Sequence, residues 1–154
     1  MQALSYMIEH GNSDEKGAAS MAVANACIGK QDNAQEAFDH GVVIPLINLI
    51  NCGPEKIRPR ACEALAEICW NYSPACEATC SEGGINTLVN VVRNGLAATQ
   101  RQALFAIAAV CSSSETGRTI CSLSDGWMVV LDCLRSPDIS VQSAATRVMQ
   151  VSVW

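Results

Sequence analysis

Charged and aromatic residues are both scarce in this chain of 154 residues. Charged residues make up 16% and aromatic residues 5%, whereas hydrophobic residues make up 49%. The high hydrophobicity and low charge exclude an intrinsically disordered chain, which could not bury enough apolar surface to fold. With so few aromatic residues, the core must consist of Ala, Val, Ile, Leu and Cys. That mixture of small and branched side chains suits closely packed helices.

Positive charge is also sparse, and it is scattered. The chain has 10 Lys and Arg against 15 Asp and Glu, and its formal net charge is −5. The only basic cluster (Lys56, Arg58 and Arg60) stands beside Glu55 and Glu63. Binding of nucleic acid through its phosphates needs a continuous basic surface. The sequence therefore predicts no nucleic-acid partner.

Long apolar runs are absent from the sequence as well. No segment reaches the length of a membrane span, and the N-terminus lacks the basic-then-apolar shape of a signal peptide. We therefore expect no membrane partner. The nine cysteines are an odd number without a secretory context, which favours reduced thiols. A cytoplasmic location is expected, with the nucleus as the alternative.

What the sequence does contain is an internal repeat of 42 residues. The same residue types return at this step in two blocks, without any insertion or deletion. The two clearest series are Ala19, Ala61, Ala103 and Ala145, and Leu4, Leu46, Leu88 and Val130. A repeat of about this length is typical of solenoid proteins, in which each unit packs only against its neighbours.

Each block has the pattern of a helix. Apolar positions in 61–69 follow a period of about 3.6 residues rather than alternation. Pro59 implies that its helix begins late or is kinked there. Gly41, Gly83 and Asp125 share one repeat position, where a left-handed turn is expected. The predicted helices are short (33–40, 74–82, 116–123), middle (42–51, 84–93, 126–135) and long (14–28, 57–71, 98–112, 139–153).

The chain is therefore expected to form one domain over 1–154. It would open with a partial unit, 1–29, and continue with three units of three helices each, 30–71, 72–113 and 114–154. That arrangement amounts to about three and a half units.

These blocks resemble the armadillo-repeat family, which includes importin-alpha and beta-catenin. The family's middle helix, Gly-Ala-Ile-x-x-Leu-Val-x-Leu-Leu, is similar to 41–50 (GVVIPLINLI) and to 83–92 (GGINTLVNVV). Its third helix, Ala-x-x-Ala-Leu-x-Asn-Leu-Ala, is similar to 19–27 (ASMAVANAC) and to 61–69 (ACEALAEIC). The resemblance implies an all-α, right-handed solenoid whose third helices line a concave groove. It also implies a non-enzymatic scaffold that binds a protein or peptide there.

The resemblance also indicates which residues would line the groove. In these relatives the Asn of the third helix binds the backbone of an extended peptide. Asn25 stands at that position, and Glu67, Ala109 and Val151 stand at the matching positions of the later units. Residues four and seven positions earlier share the same helix face. The candidate groove residues are Met21, Asn25, Arg60, Glu63, Glu67, Gln102, Phe105 and Arg147.

Two pairs among these candidates have alternative interpretations. Met21 and Phe105 are apolar residues at outward-facing positions, so they either anchor a partner or pack against neighbouring helices. Glu63 and Glu67 lie four residues apart on one helix face. They form either a solvated stripe that Arg60 partly neutralises or an acidic patch for a partner's basic stretch. A cation site or an acid–base pair is the remote alternative.

The cysteines and histidines predict no metal site and no cofactor. No Cys-x-x-Cys occurs, and His10 and His40 have no second ligand at a suitable spacing. Cys27, Cys69 and Cys111 occupy one repeat position and are expected to be small buried fillers. We therefore expect that the chain is not an enzyme. A metal- or carboxylate-dependent enzyme remains the remote alternative function.

The C-terminal segment is apolar and has no polar cap; it contains Val148, Met149, Val151, Val153 and Trp154. Terminal repeats normally present a polar outer face. Either Trp154 covers this end, or the chain self-associates there, or it comes from a longer array. An adaptor or oligomerisation module that uses its convex face or its ends is thus the alternative to groove binding.

Overall fold

The computed structural model describes residues 1–152, which form eleven helices and no strand. The helices are α1 Gln2–His10, α2 Ser13–Cys27, α3 Gln31–Asp39, α4 Val43–Cys52, α5 Arg58–Asn71, α6 Pro74–Ser81, α7 Gly84–Asn94, α8 Ala97–Ser113, α9 Glu115–Leu123, α10 Gly126–Cys133 and α11 Ile139–Ser152. The ten helices predicted with bounds are all present, and their ends lie within two residues of the predicted ones, except that the predicted end at residue 153 falls outside the described residues. Val153 and Trp154 lie outside the described residues, and so does the prediction that Trp154 covers the C-terminal end.

The starts of the helices follow the sequence signals. α5 begins at Arg58 with Pro59 in its first turn, where the missing N–H of proline would have had no helical partner. Gly41 and Gly83 both have φ of +73°, and Asp125 has φ of +59°. The left-handed turn before each middle helix is therefore confirmed, and in the last unit an aspartate adopts it.

The helices are arranged in two main rows. The long helices α2, α5, α8 and α11 each pack against the next, and the middle helices α1, α4, α7 and α10 form a second row beside them. The short helices α3, α6 and α9 connect successive units. The fold is thus a right-handed α-solenoid, as predicted.

The core runs continuously between the two rows. Leu65, Ile68, Leu104 and Ile107 on the long helices are essentially inaccessible to solvent. Burial of each such side chain stabilises the fold by roughly 1.5–3 kcal/mol relative to exposure. Because successive long helices share these contacts, no single unit completes its own core.

A polar contact joins two neighbouring units at the surface of this core. The Oε1 atom of Glu55 accepts hydrogen bonds from the hydroxyl of Thr99 (2.8 Å) and from the backbone N–H of Leu96 (3.3 Å). Arg58 donates to the other carboxylate oxygen at 3.2 Å. The carboxylate thereby accepts from the Leu96 N–H, which the helix itself leaves unpaired, and from the side chain of Thr99 in the first turn of α8. Glu55 therefore ties the unit of α5 to the beginning of α8.

Candidate partner-binding groove

Four polar and aromatic residues lie along the outward face of α5. Glu63, Glu67, Trp70 and Asn71 are spaced by four, three and one residues, which puts them on one side of a helix. Between them lie the residues that face the core, such as Leu65 and Ile68, which are fully buried. The outward residues are half-buried, because the neighbouring long helices flank them. This face of α5 forms one wall of a depression.

The depression has a volume of about 420 Å³ and lies where α5, α8 and α11 approach each other. We call it the acidic groove. Its lining residues are Gly29, Glu63, Ala66, Glu67, Trp70, Asn71, Gln102, Phe105 and Arg147.

Negative charge in the acidic groove is concentrated on α5. Neither Glu63 nor Glu67 forms an ion pair with another residue of the chain between 1 and 152. Partial burial raises the pKa of Glu67 above its ordinary value, the nearby Glu63 raises it further, and a hydrogen bond from Asn71 opposes both effects. Asn71 also donates to the backbone carbonyl of Glu67 at 2.7 Å. The two carboxylates therefore lie on neighbouring turns of α5, and neither is ion-paired within residues 1–152.

Trp70 and Arg147 line the same groove and contact each other. The guanidinium carbon of Arg147 lies 5.4 Å from the centroid of the Trp70 ring, within the range of a cation–π interaction. Trp70 belongs to α5 and Arg147 to α11, so this contact extends past the intervening helix α8. The groove is thus bounded by an aromatic ring that already carries a cation.

Of the eight candidate residues, five lie together in the acidic groove: Glu63, Glu67, Gln102, Phe105 and Arg147. Met21, Asn25 and Arg60 do not line it. Met21 and Asn25 are exposed on α2, and Arg60 lines a smaller cavity with Asp14, Lys56 and Ile57.

Phe105 both packs against neighbouring helices and contributes to the groove surface. Its side chain is half-buried and packs against the core, so packing accounts for part of its environment. The rest of the side chain lines the acidic groove. Met21, by contrast, stays exposed on α2.

The four positions that match the family's asparagine differ in burial. Asn25 is exposed, Glu67 and Val151 are half-buried, and Ala109 is fully buried. A regular series of side-chain amides along the third helices is therefore absent, both by residue type and by exposure.

Trp70 and Asn71 are groove residues that the sequence reasoning missed. They lie three and four positions after Glu67 on the same helix face, whereas the candidate residues of α5 all lie at or before Glu67. The signal was therefore available as an aromatic residue at that spacing. The contact with Arg147 was not available, because it depends on the packing of α8 and α11 against α5.

The cysteines lie mostly in the core, and all nine are free thiols. Cys27, Cys69 and Cys111 are buried, as expected of fillers at one repeat position. Burial, with a smaller contribution from the neighbouring Glu67, raises the pKa of Cys27 to about 11. Burial also raises the pKa of Cys62. Such thiols stay protonated near neutral pH, so they are poor nucleophiles.

Within residues 1–152, no group of three or more His, Cys, Asp or Glu side chains is placed to hold a metal ion. Nor does any helix in this part of the chain combine the length and apolarity needed to cross a bilayer.

Comparison with known proteins identifies the repeat. Residues 30–70 match the family model described as Armadillo/beta-catenin-like repeat. No curated protein sequence matches the chain.

Solved structures match the chain over nearly its whole length. The crystal structure of an engineered protein from the Northeast Structural Genomics Consortium superposes with a TM-score of 0.93 at 23% identity, over 98% of this chain and 61% of that one. A designed armadillo repeat protein gives 0.88 at 18% identity, over 98% and 63%. Another, in complex with peptide (KR)4, gives 0.87 at 17% identity, over 98% and 63%. The chain thus spans less than two thirds of these structures.

The fold and the repeat together define the class of structure: the chain has the fold of armadillo-repeat proteins. Its solenoid is the armadillo fold, and 30–70 is the stretch that the family model covers.

Proposed function

We propose that this chain is a non-enzymatic interaction scaffold whose acidic groove binds an extended, basic segment of a partner protein in the cytoplasm. The observation that carries the proposal is the pair of unneutralised carboxylates, Glu63 and Glu67, beside the aromatic rings of Trp70 and Phe105. The proposal includes the division of the single domain 1–154 into a partial unit, 1–29, and three units, 30–71, 72–113 and 114–154.

Charge and stacking favour a basic segment. Two carboxylates on neighbouring helical turns can pair with Lys or Arg, and an aromatic face attracts the same cations. A rigid row of packed helices presents these groups in a preformed arrangement, so little ordering entropy is lost on binding. The matched designed protein bound to peptide (KR)4 has a partner of this composition, which supports the proposal for this chain.

The direct test is a titration with a labelled (Lys-Arg)4 peptide at low and high salt. The variant E63Q/E67Q should bind about 5- to 30-fold more weakly, if each carboxylate contributes about 0.5–1 kcal/mol. The control D39N/E82Q removes two exposed carboxylates outside the groove, so it changes the net charge equally and should bind like the wild type. Equal loss in both variants would reduce the effect to overall charge and would contradict a groove site.

The pH dependence offers a second measurement of the same site. The partner's cation binds the ionised form of Glu67, whose pKa in the free protein is raised by burial and by Glu63. The affinity should therefore be highest near neutral pH. On acidification it should begin to fall at a higher pH than it would for a glutamate with an ordinary pKa. E63Q/E67Q should lack this dependence.

Substitution of Phe105 distinguishes the groove from the convex face. Phe105→Ala should weaken binding of the peptide if the partner lies along α8 in the groove. Unchanged binding in Phe105→Ala and E63Q/E67Q, with binding intact in the wild type, would favour the convex face or the ends of the solenoid.

We propose self-association through the C-terminal end as a second candidate. Leu131 and Leu134 on this end are exposed, whereas the residues at the same repeat positions in the earlier units are buried. A second copy of the chain could cover them. Sedimentation should show a dimer or larger species that Leu131→Asp dissociates. Met128→Asp is the matched control, since Met128 lies on the same helix at a position that is exposed in every unit. A monomer at high concentration would rule out this candidate.

A further inference from the structure

The contact between Arg147 and Trp70 bears on how the acidic groove admits a partner. The Arg147 guanidinium lies over the Trp70 ring with 5.4 Å between its carbon and the ring centroid. It reaches this position from α11, and its side chain is otherwise exposed. In the part of the chain that the structure describes, it forms no ion pair, even though Glu63 and Glu67 line the same groove.

From this geometry we infer that Arg147 is an internal competitor for the groove, because its guanidinium occupies the place on Trp70 that a partner's cation would take. The inference rests on the proposed function and adds the residue that sets the affinity. A ring face stacks one cation at a time, so a partner's Arg or Lys can stack on Trp70 only after Arg147 has left it.

This competition determines which partners bind well. A single basic residue that displaces Arg147 exchanges one cation–π contact for another and gains little net free energy. A partner that also pairs with Glu63 and Glu67 gains contacts that Arg147 does not make. The groove should therefore favour segments with several basic residues over those with only one.

A double-substitution cycle tests the inference with labelled (Lys-Arg)4 peptide. Arg147→Ala should bind the peptide about two- to fivefold more tightly than the wild type, because an exposed cation–π contact is worth a factor of this size. Trp70→Leu keeps an apolar side chain but removes the indole ring. In the Arg147→Ala background it should weaken binding by a similar factor, whereas in the otherwise wild-type protein it should change binding little, because it removes the partner's contact and the competing one together.

Arg93→Ala is the matched charge control. Arg93 is exposed on α7 outside the acidic groove, so its removal changes the net charge as Arg147→Ala does and leaves Trp70 untouched. Thermal unfolding of each variant establishes that the fold is retained. A gain of affinity in Arg147→Ala that clearly exceeds the gain in Arg93→Ala supports the competition.

The possible failures can be told apart. If the wild type binds and Arg147→Ala binds equally or more weakly, the competition is overturned and the groove site remains. The competition is also overturned if Trp70→Leu has the same effect in both backgrounds. If neither the wild type nor Arg147→Ala binds the peptide, the proposed function fails and the inference fails with it.

Discussion

The same repeat position is buried inside the solenoid and open at its C-terminal end. Ile47 on α4 is 6% exposed and Val89 on α7 is 2% exposed, but Leu131 on α10 is 41% exposed. All three are branched aliphatic residues 42 positions apart. The residue type therefore does not decide the burial; the presence of a following unit does.

A second repeat position, which in the last unit directly follows α10, shows the same difference. Ile50 and Val92 are almost completely buried, whereas Leu134 is 36% exposed. Each internal unit thus completes the core of the unit before it, as expected of a solenoid stabilised by nearest neighbours. In the last unit, Leu131 and Leu134 expose the surface that each internal unit buries against the unit after it.

The largest expected effect compares Ile47→Ala with Leu131→Ala. Truncation of the buried Ile47 leaves a cavity between neighbouring units and should lower the free energy of unfolding by about 2–5 kcal/mol. Leu131→Ala should cost about 1 kcal/mol or less, because much of its side chain already faces solvent. Urea unfolding of the dilute proteins measures both. Equal losses would mean that Leu131 is covered even in the dilute protein, which would contradict an open end.

The sequence was sufficient for the fold because the repeat encodes the packing. Residues that return every 42 positions, such as Ala61 and Ala103, face the same neighbours in each unit, so one register predicts the helices of the entire described chain. Even the left-handed turn at Asp125 followed from its two glycine counterparts. Trp70 does not belong to such a uniform series, because its repeat equivalents are Ile28, Ser112 and Trp154.

The site could be predicted only in part, for a physical reason. Helical spacing brought Glu63 and Glu67 to one face, but it could not determine how far neighbouring helices cover that face. Ala109 is buried and Phe105 is half-buried, although the spacing alone placed both on the groove side. The cation on Trp70 required knowledge of how α11 lies relative to α5. Such contacts depend on tertiary packing, which a repeat pattern does not contain.

The next effect concerns two polar contacts at internal junctions. Glu55→Ala removes the acceptor of the hydroxyl of Thr99, a residue that is only 1% exposed, together with the contacts to Leu96 and Arg58. It should cost about 1–2 kcal/mol, mainly because a buried donor is left unpaired. Asp14→Ala breaks an ion pair with Lys56 whose two side chains are mostly exposed, and it should cost about 0.5 kcal/mol or less. Chemical denaturation compares the two. Glu55→Gln keeps the acceptor oxygen and should recover much of the loss; if it behaves like Glu55→Ala, the hydrogen bond to Thr99 is not the cause.

The smallest effect concerns the turns before the middle helices, where an internal unit has Gly83 and the last unit has Asp125. Gly83→Ala introduces a Cβ that meets no atom within 4 Å, so its cost is backbone strain alone, about 1 kcal/mol at a φ of +73°. Asp125→Gly should change the stability by less than about 0.5 kcal/mol, because relief of the strained φ is offset by the greater freedom of glycine in the unfolded chain. Thermal unfolding of both variants measures the difference. If Asp125→Gly lost as much stability as Gly83→Ala, the Asp125 side chain would stabilise the last unit through its own contacts. The last unit and the internal units would then differ in this turn as well as in the burial of Leu131 and Leu134.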